Sequence, residues 1–344
     1  MMKALVFHGA NARQWQEKPR PSVERPTDAV VRMTHTTICG TDLHILKGDV
    51  PTCEPGRTLG HEGVGIVESI GDGVSTLQPG DRVLISCITS CGRCDYCKRG
   101  MYSQCRDGGW ILGHRIDGTQ AESVRIPHAD NSLYKLPDGL DDETAVMLSD
   151  ILPTGHEIGA LNGEVNLGDT VAIVGSGPIG LAALLTARFY SPARLIMIDP
   201  DENRLETARR LGATDTISGD AEDRVMEMTG GEGVDVAMEA VGIPETFDIC
   251  QRIVRPGGHI ANIGVHGTSV EFHLEDLWIK NVTVRTGLVN TNTIPVLMRT
   301  LEAGGVDAQS LITHHFPLDE IEKAYDVFGN AASEKAIKLI LTAA

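Results

Sequence analysis

Two short segments concentrate side chains capable of chemistry. Residues 39–44 carry the Cys39 thiol, the Thr41 hydroxyl, the Asp42 carboxylate and the His44 imidazole, and residues 60–63 add His61 and Glu62. Thiolate, imidazole and carboxylate together are the donor set of zinc, and a catalytic zinc takes three protein ligands and keeps one open position. Cys39, His61 and Glu62 are each eligible, and a further ligand must come from elsewhere. Asp150 is the leading candidate, a carboxylate in "MLSDILPTG" at the end of an apolar run. On spacing alone the competing reading is a polar surface loop, because a lone Cys, His or Asp is more often structural.

A second cluster is more specific. Cys91, Cys94, Cys97 and Cys105 form C-x-x-C-x-x-C followed by a fourth thiol, with Gly, Arg, Asp and Lys between them. Four thiolates close a tetrahedral zinc shell and leave no position for substrate, so this metal is expected to be structural. The polar lobe has little to bury, and metal binding would supply its folding energy. An iron–sulfur cluster also takes four cysteines, but hydride chemistry needs no one-electron centre. Cys53, Cys87 and Cys250 are left as buried thiols.

The third motif is "VAIVGSGPIG", in which Gly175, Gly177 and Gly180 follow a strand pattern and open a helix at Pro178 and Ile179. Gly175 suits a tight turn, Gly177 lets the backbone approach a pyrophosphate, and Gly180 lets helix and strand pack closely. The helix N-terminus offers amide donors to phosphate. Asp199 ends the next strand, "LIMID", where a carboxylate accepts from ribose hydroxyls and repels a 2′-phosphate. Arg204, one helical turn on, is within reach of the ribose. The expected cofactor is NAD rather than NADP.

These motifs need two kinds of scaffold. Residues 1–152 read as short strands cut by Gly, Pro and Asp, which predicts an irregular, mainly β domain carrying the cysteine lobe at 87–108. Residues 153–291 alternate strands and helices, which predicts a doubly wound parallel sheet. Residues 292–344 are expected to be helical, then to end on the strand "AIKLILTAA" and return to the first domain. The 344 residues and 41% hydrophobic content allow a sizeable core in an α/β protein. A formal net charge of −17 argues against nucleic acid as a partner. The sequence shows neither an apolar stretch of membrane-spanning length nor a signal-peptide pattern, so a cytoplasmic protein is expected.

Taken in order, these motifs resemble the zinc-containing alcohol dehydrogenases of the medium-chain dehydrogenase/reductase family over nearly the whole chain. Gly60-His61-Glu62, Gly65, Gly71 and Val74 stand at the intervals of that family's zinc signature, and "CGTDLH", the four-cysteine lobe and the glycine turn follow in its order. The resemblance implies a GroES-like catalytic domain joined to a Rossmann domain. Asp150 stands where the Cys₂His branch has its second cysteine, which resembles the bacterial tetrameric branch with Cys, His and Asp on zinc. Carried over, Cys39, His61 and Asp150 are ligands, and Glu62 is an exchangeable fourth ligand or a neighbour of the metal. An Asp in place of a Cys would make the zinc a harder Lewis acid.

The resemblance also implies a proton relay from Thr41 through the nicotinamide ribose to His44. The structural alternatives are an N-cap hydroxyl and a surface histidine. Trp110 would wall the substrate pocket, with a core aromatic as the alternative. Gly264, Val265, Leu288 and Val289 would meet the nicotinamide half of NAD through backbone groups, Val241 would also contact the cofactor, and Lys338 would meet its phosphate or ribose. The implied activity is interconversion of small primary or secondary alcohols with aldehydes or ketones, with two zinc ions and one NAD per subunit in a homotetramer, a dimer being the runner-up. Polyol and threonine dehydrogenases carry similar motifs. A non-catalytic zinc- and nucleotide-binding protein is the alternative from another class.

Overall fold

The computed structural model describes residues 1–343. The chain forms two compact units, each built from its own hydrophobic core. One comprises Met1–Asp150, Asn290–Gly305 and the chain from Ile312 onward; the other comprises Ile151–Val289 and Val306–Leu311.

The first unit opens with the antiparallel pair β1 (Met2–Gly9) and β2 (Ala12–Lys18). It continues through β3 (Ala29–Thr37), the helix Gly40–Lys47, β4 (Gly63–Ile70), β5 (Arg82–Ile85), β6 (Ser123–Ile126) and β7 (Leu133–Lys135). β-Branched residues on one pleat face of these strands, among them Val31, Val67, Val83 and Val124, close over a core with Leu112 and Ile126. Complete burial contributes about 1.5–3 kcal/mol for each such side chain.

In the second unit β8 (Thr170–Val174), β9 (Arg194–Ile198), β10 (Asp215–Ile217), β11 (Val234–Glu239), β12 (Val254–Asn262) and β13 (Thr283–Thr286) form one parallel sheet in the order β10-β9-β8-β11-β12-β13. Val171, Ala172, Ile173 and Val174 are all buried, as expected of a strand covered on both faces. The winding direction reverses between β8 and β11, which are neighbours in the sheet but not in sequence. In open α/β sheets, ligands bind outside the carboxyl ends of the strands at that point.

The chain then returns to the first unit, where β14 (Ile312–Pro317) and β15 (Lys338–Thr342) complete the sheet β14-β15-β3-β4-β5-β7, with β6 also paired to β3. The fold class is as the motifs imply, a mainly β unit and a doubly wound parallel unit. The boundaries differ in detail. The first unit ends at Asp150 rather than 152, the returning segment starts at Asn290 rather than 292, and Val306–Leu311 groups with the second unit. β2, with its polar sequence ARQWQEK, and β14, with ITHHFP in a helical context, are strands that periodicity does not announce. Among the described residues no helix is long and apolar enough to cross a membrane.

Candidate functional site

Cys39 follows β3 and is the N-cap of the helix Gly40–Lys47. His61 and Glu62 lead into β4, and Asp150 is the last residue of the first unit's opening stretch. Gly60 allows the approach to His61. Its φ is +91°, and a Cβ there would lie 2.6 Å from Gln120 Cγ and 2.7 Å from Thr119 Oγ1.

One ligand atom from each of Cys39, His61, Glu62 and Asp150 lies within 4.8 Å of the others. Cys39 Sγ is 3.8 Å from Asp150 Oδ2, and His61 Nε2 is 3.4 Å from the same oxygen. Zinc bonds of about 2.3 Å to sulfur, 2.0 Å to nitrogen and 2.1 Å to oxygen give tetrahedral edges of about 3.6 Å (S to O) and about 3.4 Å (N to O). The two distances to Asp150 Oδ2 therefore match two edges of a zinc tetrahedron.

The electrostatics also suit a cation. Burial pushes up the Cys39 thiol and the Asp42 and Glu62 carboxyls, and the neighbouring Asp150 pushes Cys39 and Glu62 up further. Burial works against a charged His61, yet Asp150 and Cys39 hold its pKa well above the usual value. A divalent ion would relieve that excess of negative charge.

Two residues that sequence reasoning missed support the donors. Asp42 Oδ1 has no hydrogen bond and faces His61 Nδ1 at 3.7 Å, the placement of a carboxylate that orients a metal-binding imidazole. The other oxygen, Oδ2, accepts from Cys39 N at 2.9 Å and from Gln120 Nε2 at 3.2 Å, and Tyr325 donates to Gln120 Oε1 at 2.8 Å. Cys87, expected as a buried thiol, is buried and lies against Asp150; burial and the neighbouring Asp150 and Glu62 raise its pKa well above normal.

Lys338 is buried, and its Nζ donates to Glu62 Oε1 at 2.8 Å and Oε2 at 2.9 Å. The cause is topological. β15 pairs beside the end of β3, which brings Lys338 Nζ to within 3.4 Å of the Ile38 carbonyl, beneath the Cys39 loop.

Thr41 is the second residue of the helix and Cys39 the N-cap, so Thr41 is not the cap; its Oγ1 is 3.7 Å from Cys39 Sγ. His44 is on the exposed side, with Nδ1 2.8 Å from Asp49 Oδ2. Trp110 is half-buried, packs against the core around Leu5, Ile38 and Leu59, and lies 4.4 Å from the His114 ring between centroids.

The second cluster is equally compact. The sulfurs of Cys91, Cys94, Cys97 and Cys105 lie within 4.8 Å of one another, with Cys91 Sγ and Cys97 Sγ 3.9 Å apart, against about 3.8 Å for a zinc–thiolate tetrahedron. Backbone donors from Arg106 and Cys97 lower the Cys94 thiol to about 6, which favours a thiolate. Arg106 clamps Asp95 across the lobe, Nε to Oδ1 at 2.6 Å and Nη2 to Oδ2 at 2.9 Å.

In the second unit Gly175 has φ +105°, and a Cβ there would meet Val241 Cγ2 at 2.5 Å. A Cβ at Gly180 would lie 1.8 Å from the Gly175 carbonyl, whereas nothing stands within 4 Å of one at Gly177. Gly177 is the N-cap of the helix Pro178–Ala187, whose first residues are Pro178 and Ile179, so the open side lies at the helix N-terminus. Asp199 Oδ2 accepts from Ser176 N at 2.7 Å, and its Oδ1 accepts from Asp201 N at 2.8 Å, so the strand-end carboxylate is tied to the glycine turn. Arg204 Nη1 is 3.8 Å from Asp199. Val241, Val265 and Leu288 are exposed and Val289 is buried, so only a main-chain contact is open to Val289.

Comparison with known proteins agrees with this layout. Residues 25–138 match the family model "Alcohol dehydrogenase GroES-like domain" and residues 178–303 match "Zinc-binding dehydrogenase". The chain is similar to a solved structure from Streptococcus pneumonia, zinc dependent alcohol dehydrogenase 2 in apo form, at 55% identity and TM-score 0.96, covering 100% of this chain and 99% of that one. An alcohol dehydrogenase of Cupriavidus necator is 40% identical, with 96% of both chains covered. A sorbitol dehydrogenase of Halalkalibacterium halodurans is 34% identical, with 99% of both covered.

Proposed function

Because this chain belongs to the zinc-binding alcohol dehydrogenases of the medium-chain dehydrogenase/reductase family, we propose that it is an NAD-dependent, two-zinc enzyme acting on small primary or secondary alcohols. The observation that carries the reading is the convergence of Cys39 Sγ and His61 Nε2 on Asp150 Oδ2 at 3.8 and 3.4 Å, with Glu62 in the same cluster. A zinc ion held there supplies Lewis-acid polarisation of the substrate oxygen and lowers the pKa of its hydroxyl.

The chain's own residues do the rest. Glu62, held by Lys338, would be an exchangeable fourth ligand or a neighbour of the metal; its place in the donor cluster supports this. In the balanced reaction the alcohol carbon gives a hydride to NAD⁺ and the oxygen gives up a proton, leaving aldehyde or ketone, NADH and H⁺. In this reading Thr41 would take that proton and pass it through the nicotinamide ribose to His44; the 3.7 Å from Thr41 Oγ1 to Cys39 Sγ and the partial exposure of His44 support it. The four-cysteine lobe would hold the second zinc with no open position.

Support for NAD over NADP comes from Asp199. Its carboxylate, held in place by Ser176 N and Asp201 N, would repel a 2′-phosphate and accept from a 2′-hydroxyl. A homotetramer remains our assembly proposal, supported by the open edge of β13 beside exposed Trp278 and Ile279. Eight cysteines without a disulfide suit a reducing, cytoplasmic setting.

The test is NADH formation by purified, zinc-replete protein on ethanol, longer primary alcohols, 2-propanol, 2-butanol, sorbitol and threonine, each with NAD and NADP. Turnover of simple alcohols with NAD is expected. Turnover of sorbitol alone would favour the polyol reading that the sorbitol dehydrogenase relative suggests. Silence on every substrate, in protein that holds zinc and binds NAD, would sink the catalytic reading.

A further inference from the structure

We propose that Glu239 and His266 are positioning residues that shape the platform for the nicotinamide half of the dinucleotide. The inference rests on the reading of the second unit as a dinucleotide-binding domain. Glu239 is the last residue of β11, at the sheet's reversal point, and is fully buried. Its Oε1 accepts from Val241 N and Gly242 N, both at 2.8 Å, and from Thr246 Oγ1 at 2.7 Å. Its main-chain carbonyl accepts from Ile263 N at 2.8 Å and Gly264 N at 3.1 Å. One residue thus ties the turn after β11 to the turn after β12.

The second carboxylate oxygen has no hydrogen bond and faces His266 Nε2 at 3.3 Å. The same ring nitrogen lies 2.8 Å from Asn262 Oδ1, while Asn262 Nδ2 donates to the Gly264 carbonyl at 2.9 Å. Two acceptors on one ring nitrogen require Nε2 to carry the proton, so His266 links Glu239 to the Asn262–Gly264 turn. Phe247 closes the cluster edge-on, 6.0 Å from the His266 ring, and the buried Cys250 thiol is the other titratable group facing Glu239. The two turns touch. A Cβ at Gly264 would lie 2.3 Å from both Glu239 Oε2 and Gly242 N, and one at Gly242 would lie 2.3 Å from the Val265 carbonyl.

The ligand half that this arrangement serves follows from the strand order. Asp199 stands at the end of β9 and the glycine turn follows β8. A dinucleotide with its adenosine ribose at Asp199 and its pyrophosphate at Gly177 must send its other half toward β11 and β12. There Val241 and Val265, 45% and 64% exposed, project from the two turns that Glu239 and His266 hold together. Loosening these turns should therefore weaken the nicotinamide half and spare the adenosine half.

The experiment measures equilibrium binding of NADH, by its fluorescence, and of ADP, by calorimetry, to the zinc-loaded full chain. The proteins are wild type, Glu239→Gln, His266→Ala and His266→Gln. Glu239→Gln and His266→Ala should bind NADH at least about tenfold more weakly while ADP affinity stays within about twofold. His266→Gln should retain NADH affinity within about threefold, because its amide can donate to the same oxygens. Wild-type NADH affinity in both Glu239→Gln and His266→Ala would overturn the proposal, as would parallel losses of NADH and ADP. A wild-type protein that binds neither ligand would overturn the dinucleotide reading itself, and the inference with it.

Discussion

Lys338 Nζ donates to both carboxylate oxygens of Glu62, at 2.8 and 2.9 Å, with the two side chains buried together. Breaking one side of such a pair strands the other charge away from water, at a cost of about 3–5 kcal/mol. Lys338→Met should therefore lower stability by that amount in a denaturant titration. Adding Glu62→Gln to Lys338→Met should recover part of the loss, since no charge is then left unpaired. A single variant as stable as wild type would show that the pair is neutralised or wet.

Asp42 acts on the metal through His61. Asp42→Asn removes the carboxylate facing His61 Nδ1 but keeps an acceptor for Cys39 N. Metal affinity at the Cys39 site should fall about 10–100-fold, as is typical for such outer partners. Chelator competition with counting of bound zinc would measure it, and the four-cysteine site serves as an internal control.

The cysteine lobe offers a separable test. Cys91→Ser should reduce bound zinc from two per chain to one and loosen residues 87–108, where Arg93, Lys98, Arg99 and Arg106 provide trypsin sites. Faster tryptic cleavage confined to that lobe is the expected result. Unchanged cleavage with one zinc lost would mean that the lobe folds without its metal.

Thr41 tests the proton route. Thr41→Val keeps a β-branched side chain of similar volume and removes the hydroxyl beside Cys39 Sγ. Turnover should fall about 10²–10⁴-fold, the usual contribution of a positioned proton-transfer group, with zinc content intact. Unchanged turnover would remove Thr41 from the relay.

Asp142 gives a pH signature. Burial opposes its charged form, but His35, Thr34 and Arg82 hold its pKa below the usual value; Thr34 Oγ1 and Arg82 Nη1 each donate at 2.8 Å. A carboxyl depressed in the folded state stabilises the protein above its unfolded pKa of 3.8, and that contribution is lost as pH falls through the lower folded value. Asp142→Asn should cost about 1–2 kcal/mol at pH 7. The difference from wild type should shrink below about pH 4, where the wild-type carboxyl also protonates. Urea titrations at pH 7 and pH 3 would measure both values.

The four-cysteine cluster was legible from its spacing alone, whereas Cys39, His61 and Asp150 were drawn together only by the family resemblance, because a lone Cys, His or Asp is more often structural. Their supports were not legible. Asp42 stands inside the same hexapeptide as Cys39, but a carboxylate three residues after a helix cap reads as a local cap, and only the tertiary approach of His61 reveals its second role. Lys338 sits in the apolar run "AIKLILT", and its partner Glu62 is 276 positions away. Cys87 stands 63 positions before Asp150 in the sequence, so only the fold brings the two together. The parallel sheet was readable from continuous apolar runs. β14 was not, because its alternation of half-buried and exposed residues carries two histidines and borders two helices.

β15 lies between β14 and β3, yet it is made from residues 338–342. A chain growing on a ribosome therefore carries Cys39, His61, Glu62 and Asp150 long before the strand that completes their sheet has been synthesised. Until then the end of β3 at His35–Thr37 lacks its β15 partner, Glu62 lacks its ammonium, and the donor cluster is more anionic than in the finished protein. The second unit is contiguous apart from Val306–Leu311 and can assemble first, against the usual amino-to-carboxyl order of domain folding. Premature termination even a few codons upstream of Lys338 would yield a product with every zinc donor in place and that end of β3 open to association with other chains.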